Sequence, residues 1–578
     1  MSTSKKRAAT ATHRPATRRR RFRHDDPVAV DLFSGFGGLT NGIKQAGFTT
    51  IMAANHNAYK VEVHEANHPE AEHWIADLVD PEAADYHSAR DLPPADLLVA
   101  GVSCVNHSQA NTLKAYLTGE TLFEMDDPDY EARVTKSERD RATANCVLHY
   151  AQTHRPRMIL VECTTELQSW GPLLPGSKKV GDGSTYKWWL KQFELLDYNL
   201  KVLFLNSQFF GVPQSRNRGY WVFVHKSLPM PDLEHRPVSR CHRCDKDVEA
   251  VWTWRTGIPP TGKVTYGEQY EYRCPSCRTA VVPPMTPSLA ALDLSNLGTR
   301  IGDRPVKTFS DGHRGPFAAS TTARIERCRS KFADFPAILM PAKGVHGSER
   351  LLLQPLATQT SQQEAAFLST GVAPRGLWDE AAIALAVDNY QGAARGAGEP
   401  LPTQVGSETL AVVSSGVIPY RKHTVPAVHS EPMATFTSDQ IPGLLTAAGW
   451  FKQNGTSPNH GTAPHPLTDP LGTITAHDTT ALVTADWGPA LSELPIEECF
   501  YRMMAAHEIG RGCGFDVDFG NYRGTFKVWG TARNQVDGFG NAVSEQVGAW
   551  IGSRLRAVLH TPQDCGSVVD QQAVGIAA

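Results

Sequence analysis

A doubly wound α/β fold with a mostly parallel sheet is what the sequence predicts, with a large β-rich insertion between its two parts. Three observations predict it. Short apolar runs alternate with helical patterns from Pro27 to about residue 226, the pattern of βαβ units and of a sheet covered on both faces. The first apolar run breaks into glycines at 35, 37 and 38, which suits a sharp strand-to-helix turn. From about residue 228 Pro, Gly, Ser and Thr rise and helical periodicity fades, returning only at 496.

Taken in order, PVAVDLF (27–33) reads as a buried strand. LTNGIKQAG (39–47) reads as a helix stopped by Gly47. TTIMAAN (49–55) is the second strand and YKVEVHEAN (59–67) the second helix. HWIADLVD (73–80) contains the third strand, and DLLVAGV (96–102) is the fourth. SERDRATANCVLHYAQTH (137–154) is a helix with a basic and polar outer face, followed by the strand MILVE (158–162). A helix around YKWWLKQFELL (186–196) leads into KVLFLN (201–206), and YWVFV (220–224) closes the series. In such sheets ligands bind beyond the carboxyl ends of the strands. The residues that directly follow each strand are therefore the candidates for chemistry.

The formal charge of −3 hides an asymmetry. Residues 1–24 hold nine Lys/Arg and no acid, leaving 48 basic against 60 acidic residues in the remainder. A basic, low-complexity arm ahead of an acidic body reads either as a disordered nucleic-acid contact or as a solvated tail. No apolar run approaches the ~18 residues of a membrane span, and no apolar leader core follows Met1. An intracellular, cytoplasmic setting is the expectation. Composition and pattern divide the chain into an arm (1–25), an α/β domain (26–227), a β-rich insertion (228–493), a segment that returns to helical character (494–562) and a tail (563–578).

Within the insertion, QPLATQT (354–360), EPLPTQV (399–405), EPMATFT (431–437) and DPLGTIT (469–475) share a Pro, an apolar residue, a spacer and a Thr. They suggest stacked β-rich units between about 300 and 486. C-H-R-C (241–244) and C-P-S-C (274–277) enclose 29 residues containing VWTW, KVTY and YEYR. Two C-x-x-C knuckles around a β-rich stretch (about 238–282) predict a structural zinc ribbon ligated by Cys241, Cys244, Cys274 and Cys277. A redox pair would need a thioredoxin-like βαβ setting, which is absent. Arg240, His242, Arg243 and Arg278 stand beside the knuckles as candidate contacts for an anionic partner. The helical pattern resumes over IEECFYRMMAAHEIG (496–510), and the chain closes with the helix SEQVGAWIGSRLRAVL (544–559).

Several blocks stand out in order: DLFSGFGGL (31–39), GVSCVNHS (101–108), VECTTEL (161–167), FGVPQSRNR (210–218), FYRMMAAHEIGRGCGFDVDF (500–519) and GNAV (540–543). Their order and spacing resemble the conserved blocks of the cytosine carbon-5 DNA methyltransferases, over about 27–226 and 494–560. The resemblance implies a Rossmann-like domain binding S-adenosylmethionine through Phe33, Ser34, Gly35, Gly37, Asn55, Asp77, Leu78 and Asn541, with Asp77 suited to accept from an adenine amino group. It implies Cys104 as the nucleophile, Glu162 as the carboxyl that holds the base, Arg218 as the holder of the loop and base carbonyl, and Arg216 as its support. It further implies duplex DNA as partner, base flipping, a monomer, and a modification role in a bacterium or its virus.

The chemistry suits these residue types. A thiolate adding to carbon 6 of cytosine makes carbon 5 nucleophilic, and cysteine is a strong nucleophile that leaves again. The chain departs from the usual pattern at Ser103, Val105, Cys163 and Asn55, where Pro, Gln, Asn and an acid are usual. The departures motivate one alternative, an enzyme placing a different group on cytosine. A catalytically inactive DNA-binding homologue is a second, and a tRNA substrate a third. Retention of Cys104, Glu162 and both arginines favours methylation.

Overall fold

The computed structural model describes residues 12–18, 26–102 except 82, 143–371 except 173, 175–179, 295, 311, 336, 342–348, 353, 362 and 364, and 490–559 except 520 and 521. Short strands within 383–483 are described by backbone alone.

Eight strands form the principal sheet: β1 (Thr12–Arg14), β2 (Val28–Leu32), β3 (Thr49–Asn55), β4 (Glu72–Ile75), β5 (Leu97–Gly101), β6 (Met158–Cys163), β7 (Tyr198–Asn206) and β8 (Asn217–His225). Their order is β1-β4-β3-β2-β5-β6-β8-β7. Strands β4, β3, β2, β5 and β6 are parallel, and edge strand β7 runs in the same direction; β8, between β6 and β7, runs antiparallel to both, and β1 at the other edge is antiparallel to β4. The chain winds outward through β3 and β4, then crosses back to β5 and outward the other way. The topological switch point therefore lies between β2 and β5, where a ligand cleft belongs in this architecture.

Alternation along the strands assigns the two faces. Val30, Leu32, Leu98, Ala100, Ile159 and Val161 point to a core shared with a helix over 143–154 (α3) and with α4 (Ser184–Leu195). Ala29, Leu97, Val99, Met158 and Leu160 point to the opposite core. That second face is covered by α1 (Gly38–Gln45) and by a helix from the far end of the chain, Glu545–Leu559, through Val547, Ile551 and Leu555. The two helices pack backbone to backbone: a Cβ at Gly42 would lie 2.5 Å from the Glu545 carbonyl oxygen. A sheet continuously apolar on both faces needs this returning helix, since each exposed Leu or Ile would forfeit about 1.5–3 kcal/mol of burial.

Two expectations differ from the structure. The basic arm is not wholly without structure, because Thr12–Arg14 adds an edge strand to β4. Arg14 Nε donates to Glu65 Oε2 at 2.8 Å, so opposite charge anchors a segment that composition alone leaves unassigned. The segment 496–510 is not one helix. Phe500–Met503 is a strand between Thr299–Arg300 and Ala365–Ser369, in a five-stranded antiparallel sheet with Ala337–Pro341 and Arg350–Leu351. Ile496–Glu498 makes a single 3-10 turn, and only Ala506–Gly512 is α-helical. Strand pairing wins because Tyr501 then buries on one face, while Arg502 on the other makes a two-pronged contact with buried Glu508, Nη1 to Oε2 at 2.6 Å and Nη2 to Oε1 at 2.7 Å. Of the four repeated motifs, only 354–360 falls among the described residues.

Candidate active site

At the carboxyl end of β2 the chain turns through Phe33 (φ 59°), Gly35 (φ 54°) and Gly37 (φ 85°) before entering α1. A left-handed backbone at a non-glycine residue is strained, and such strain concentrates at ligand sites. Gly37 is confined by more than its φ. A Cβ there would lie 2.9 Å from the rings of both His64 and His68. Gly35, by contrast, is uncrowded: among the described residues the nearest atom to a Cβ there would be the Phe33 carbonyl oxygen, at 3.9 Å. Among the described residues Ser34 Oγ is buried without a hydrogen-bond partner. A strained loop with an open glycine and an orphaned hydroxyl is a cradle that fits a polar ligand such as S-adenosylmethionine.

Asn55 ends β3 as expected, buried. Its side-chain oxygen accepts from the Asn57 amide at 2.9 Å and so helps open the next helix, α2 (Ala58–Asn67). Asp77 follows β4, also buried, and its Oδ1 accepts from the amides of Val79 (2.8 Å) and Asp80 (3.2 Å). Leu78 is a core residue whose carbonyl accepts from Cys146 Sγ at 3.1 Å. Asn541 ends a helix, Ala532–Asn541, and donates from Nδ2 to Asp537 Oδ1 at 3.0 Å, exposed. The segment around it closes over the glycine loop. A Cβ at Gly538 would lie 1.9 Å from the Phe36 ring, and one at Gly38 would lie 2.0 Å from the Val543 carbonyl oxygen.

Beneath this loop runs a buried polar chain that sequence reading missed. Asp31 Oδ2 accepts from Thr40 Oγ1 at 2.6 Å, His64 Nε2 lies 3.1 Å from that hydroxyl, and His64 Nδ1 lies 2.8 Å from His73 Nε2. Burial raises the Asp31 carboxyl to about 7, against the lowering hydrogen bond from Thr40. Burial lowers His68 to about 3 and His73 to about 4, and holds His64 well below its ordinary value. The only sequence signal was the triplet His64, His68 and His73 itself, two of them one helical turn apart.

Across the switch point, β5 and β6 lie in register with Gly101 opposite Glu162. The Val102 amide donates to the Glu162 carbonyl at 3.2 Å. Glu162 is buried, and Arg218 Nε lies 3.0 Å from its Oε1. The pair arises because β6 and β8 are antiparallel neighbours with Glu162 opposite Tyr220, which puts residue 218 diagonally across on the same face. Arg218 is held in turn by its Nη1, which donates to the Asn217 carbonyl at 2.8 Å. Arg216 does something different. It is buried, and its Nη1 donates to the carbonyls of Gly540 (2.8 Å) and Gln359 (3.3 Å). It thereby ties the entry to β8 to two segments more than 140 residues away. Cys104 and its neighbours Ser103 and Val105 lie outside the described residues. Cys163, the departure beside Glu162, points the other way along β6 into the apolar core.

The four predicted zinc ligands converge: one sulfur from each of Cys241, Cys244, Cys274 and Cys277, all within 4.8 Å of one another. Cys241 Sγ and Cys277 Sγ are 3.4 Å apart, and Cys244 Sγ and Cys274 Sγ 3.8 Å. A tetrahedral zinc with Zn–S bonds near 2.3 Å requires S–S edges of about 3.8 Å, so the cage fits that ion. The Thr279 hydroxyl and amide hold the Cys277 thiol down at about 6. The knuckles are carried by β9 (Val238–Cys241), β10 (Lys246–Glu249), β11 (Val251–Trp254), β12 (Tyr270–Arg273) and β13 (Ala280–Val281). Arg240 is engaged by Asp245, and Arg273 donates to the carbonyl of Arg278 at 3.0 Å. Among the described residues no helix is long and apolar enough to cross a membrane.

Comparison with known proteins follows this geometry. The family model for C-5 cytosine-specific DNA methylase matches residues 28–124 and 147–252, the span from β2 to the middle of the cysteine-bearing domain. The type II methyltransferase M.NgoBI of Neisseria gonorrhoeae is 26% identical over 225 residues, covering 38% of this chain and 59% of the relative. M.HgiCII of Herpetosiphon aurantiacus is 25% identical over 245 residues, covering 42% and 48%. The chain thus spans about half the length of the curated relatives it matches. The solved structure of Entamoeba histolytica methyltransferase EhMeth aligns with a TM-score of 0.36 at 11% identity, over 93% of this chain and 100% of that one. Over its sheet domain the chain is thus similar to the C-5 cytosine-specific DNA methylase family model and, at about one residue in four, to type II methyltransferases.

Proposed function

We propose that the protein methylates carbon 5 of cytosine in duplex DNA, with Cys104 as nucleophile and Glu162, Arg218 and Arg216 as its supporting groups. The observation that carries this reading is the Glu162–Arg218 pair, set at the carboxyl end of β6 directly beside the exit of β5. Cys104 stands two residues beyond Val102, whose amide is bonded to Glu162. Covalent geometry therefore keeps its Cα within about 7–8 Å of that of Val102.

The residues have complementary tasks. The Cys104 thiolate adds to carbon 6 of the extruded base and later leaves. The Glu162 carboxyl faces ring nitrogen 3 and the exocyclic amine, stabilising the charge that grows there as the thiolate adds. Arg218 keeps that carboxyl oriented and offers donors to the base carbonyl. Arg216 is a positioning residue that anchors the closing segment at Gly540. Phe33, Ser34, Gly35, Gly37, Asn55, Asp77, Leu78 and Asn541 would hold S-adenosylmethionine, which supplies an electrophilic methyl group when bound. With the Asn55 oxygen committed to the Asn57 amide, its NH₂ is the end offered to a ribose oxygen. The cysteine cage would hold a structural zinc. Duplex DNA is the partner, the protein acts as a monomer, and the setting is the cytoplasm of a bacterium or of its phage-infected cell.

The test is direct. Purified protein is incubated with labelled S-adenosylmethionine and duplex DNA, the DNA is digested, and the nucleosides are identified by mass. The expected product is 5-methylcytosine, abolished by Cys104→Ser. A wild type and a Cys104→Ser variant that behave alike would overturn the assignment of the nucleophile.

A further inference from the structure

The segment 261–266, between β11 and β12, does not stay within the cysteine-bearing domain. It crosses onto the sheet domain at the two places where the Glu162–Arg218 pair is mounted. The Val264 amide donates to Thr165 Oγ1 at 2.9 Å, and Thr165 stands three residues beyond Glu162 at the end of β6. The Tyr266 amide donates to Asn217 Oδ1 at 3.1 Å, and Asn217 directly precedes Arg218 at the start of β8. Two alternate amides of one extended segment thus bridge the ends of both strands that carry the pair. Gln168 Nε2 adds a third link, donating to the Gly262 carbonyl at 3.3 Å.

The bridge is stiff at both ends. Val264 is fully buried, and the Tyr266 ring stands edge-on to Phe209 with centroids 4.7 Å apart. Asn217 Oδ1 also accepts from Asn206 Nδ2 at 3.0 Å, which fixes the carboxamide. Gly262 turns at φ 69° so closely over the sheet domain that a Cβ would lie 3.3 Å from Glu166 Cα. On the other side the segment runs straight to the cage: Tyr266 bridges to Tyr270, β12 continues from Tyr270 to Arg273, and Cys274 is the next residue. Tyr270 and Tyr272 of that strand are buried in the core shared with Phe204 and Phe209 of the sheet domain.

We infer that Thr165 and Asn217 are positioning residues through which the four-cysteine domain braces the Glu162–Arg218 pair, so that occupancy of the cage sets the geometry of the candidate catalytic site. The inference rests on the proposed function for its catalytic consequence, but not for the mechanical coupling itself. A metal held by four thiolates locks the two knuckles together and with them the root of β12. Without it, the bridge loses its fixed base, and the carboxylate and guanidinium lose the outer supports of their strands.

Two measurements on the full chain decide it. The first is hydrogen–deuterium exchange before and after stripping zinc with a chelator. The brace predicts faster exchange in peptides from 238–282 and also in those covering 158–168 and 212–220, with 26–56 unchanged. Faster exchange confined to 238–282 overturns it, whether or not the protein methylates anything. The second compares Thr165→Val, Asn217→Ala and Thr165→Ser in methyl transfer to duplex DNA. Loss of either bridge should lower kcat about 10–100-fold with KM for DNA little changed, since misplacing a reacting group by about 1 Å costs on the order of 100-fold. Thr165→Ser, which keeps the hydroxyl, should restore most of the rate. Equal kcat in wild type and Thr165→Val overturns the brace. Absence of product from the wild type refutes the proposed function instead and leaves the exchange experiment to decide.

Discussion

Glu162→Gln is the most informative single perturbation. It keeps the shape of the side chain and removes its charge, leaving Arg218 in a site where its side chain is 13% exposed and that of residue 162 is 7% exposed. Two unit charges about 4 Å apart attract by about 4 kcal/mol at an effective dielectric of about 20. Desolvation offsets part of that, yet breaking such a pair from one side strands a charge and costs about 3 kcal/mol. Arg218→Met should cost a similar amount. The double variant strands nothing, so it should be less destabilised than the sum of the two by about 1.5–3 kcal/mol. The assay is a double-mutant cycle in urea, read by hydrogen exchange of the β6 and β8 amides so that the sheet domain is followed by itself. If the two single costs add to within about 0.5 kcal/mol, the groups are not coupled and the Glu162–Arg218 pair is refuted. In the methyl-transfer assay all three variants should lose at least about 100-fold in kcat, the scale of a lost electrostatic stabiliser.

Other expectations follow from the same structure. Arg216→Met leaves two buried carbonyls, at Gln359 and Gly540, without their charged donor; a loss of about 2–4 kcal/mol in chemical denaturation is expected, and the tether is wrong if the cost is below about 0.5. Gly538→Ala forces a methyl group into the Phe36 ring, and overpacking of this kind should cost about 1–3 kcal/mol together with weaker S-adenosylmethionine binding by calorimetry. His64, His68 and His73 are held neutral by burial, whereas the unfolded chain protonates them below about pH 6.5. Their contribution is intact above that pH and falls by up to about 1.4 kcal/mol per histidine per pH unit as the solution is acidified toward pH 4, so denaturation midpoints should drop between pH 6.5 and 4.5, and His73→Phe should flatten the slope. Asp31, raised to about 7, acts in the opposite sense: its burial is tolerated below about pH 4 and opposes folding progressively up to pH 7. A chelator should release one zinc per chain and lower the melting temperature, and Cys277→Ser should do the same without chelator.

Much of the sheet was legible because its signals are local. TTIMAAN matches β3 residue for residue, and the strands at 96–102, 158–162, 201–206 and 220–224 each fall on an observed strand. Continuous apolar runs bounded by turn residues leave little choice once both faces are buried. The segment 500–503 was misread because FYRM carries a helix-compatible apolar spacing; its partner strands lie about 135 and 200 residues earlier, beyond any window of periodicity. The N-terminal strand was missed for a related reason: THR has no apolar pattern, and only the edge of β4 and the carboxylates of Glu65 and Glu72 make it a strand.

The linear order of residues determined, unaided, where the glycine turn falls, which side chains follow each strand, and that four cysteines come in two knuckles. Backbone preference, apolar spacing and ligand spacing act over a few residues, so they are written along the chain. Three-dimensional packing decided which of those side chains meet. It set Glu162 against Arg218, sent Arg216 away to Gly540, laid the last helix on the bare face of the sheet, and carried Val264 and Tyr266 to Thr165 and Asn217. Those meetings join positions tens to hundreds of residues apart, and their energy exists only once strand order and burial have brought the partners together.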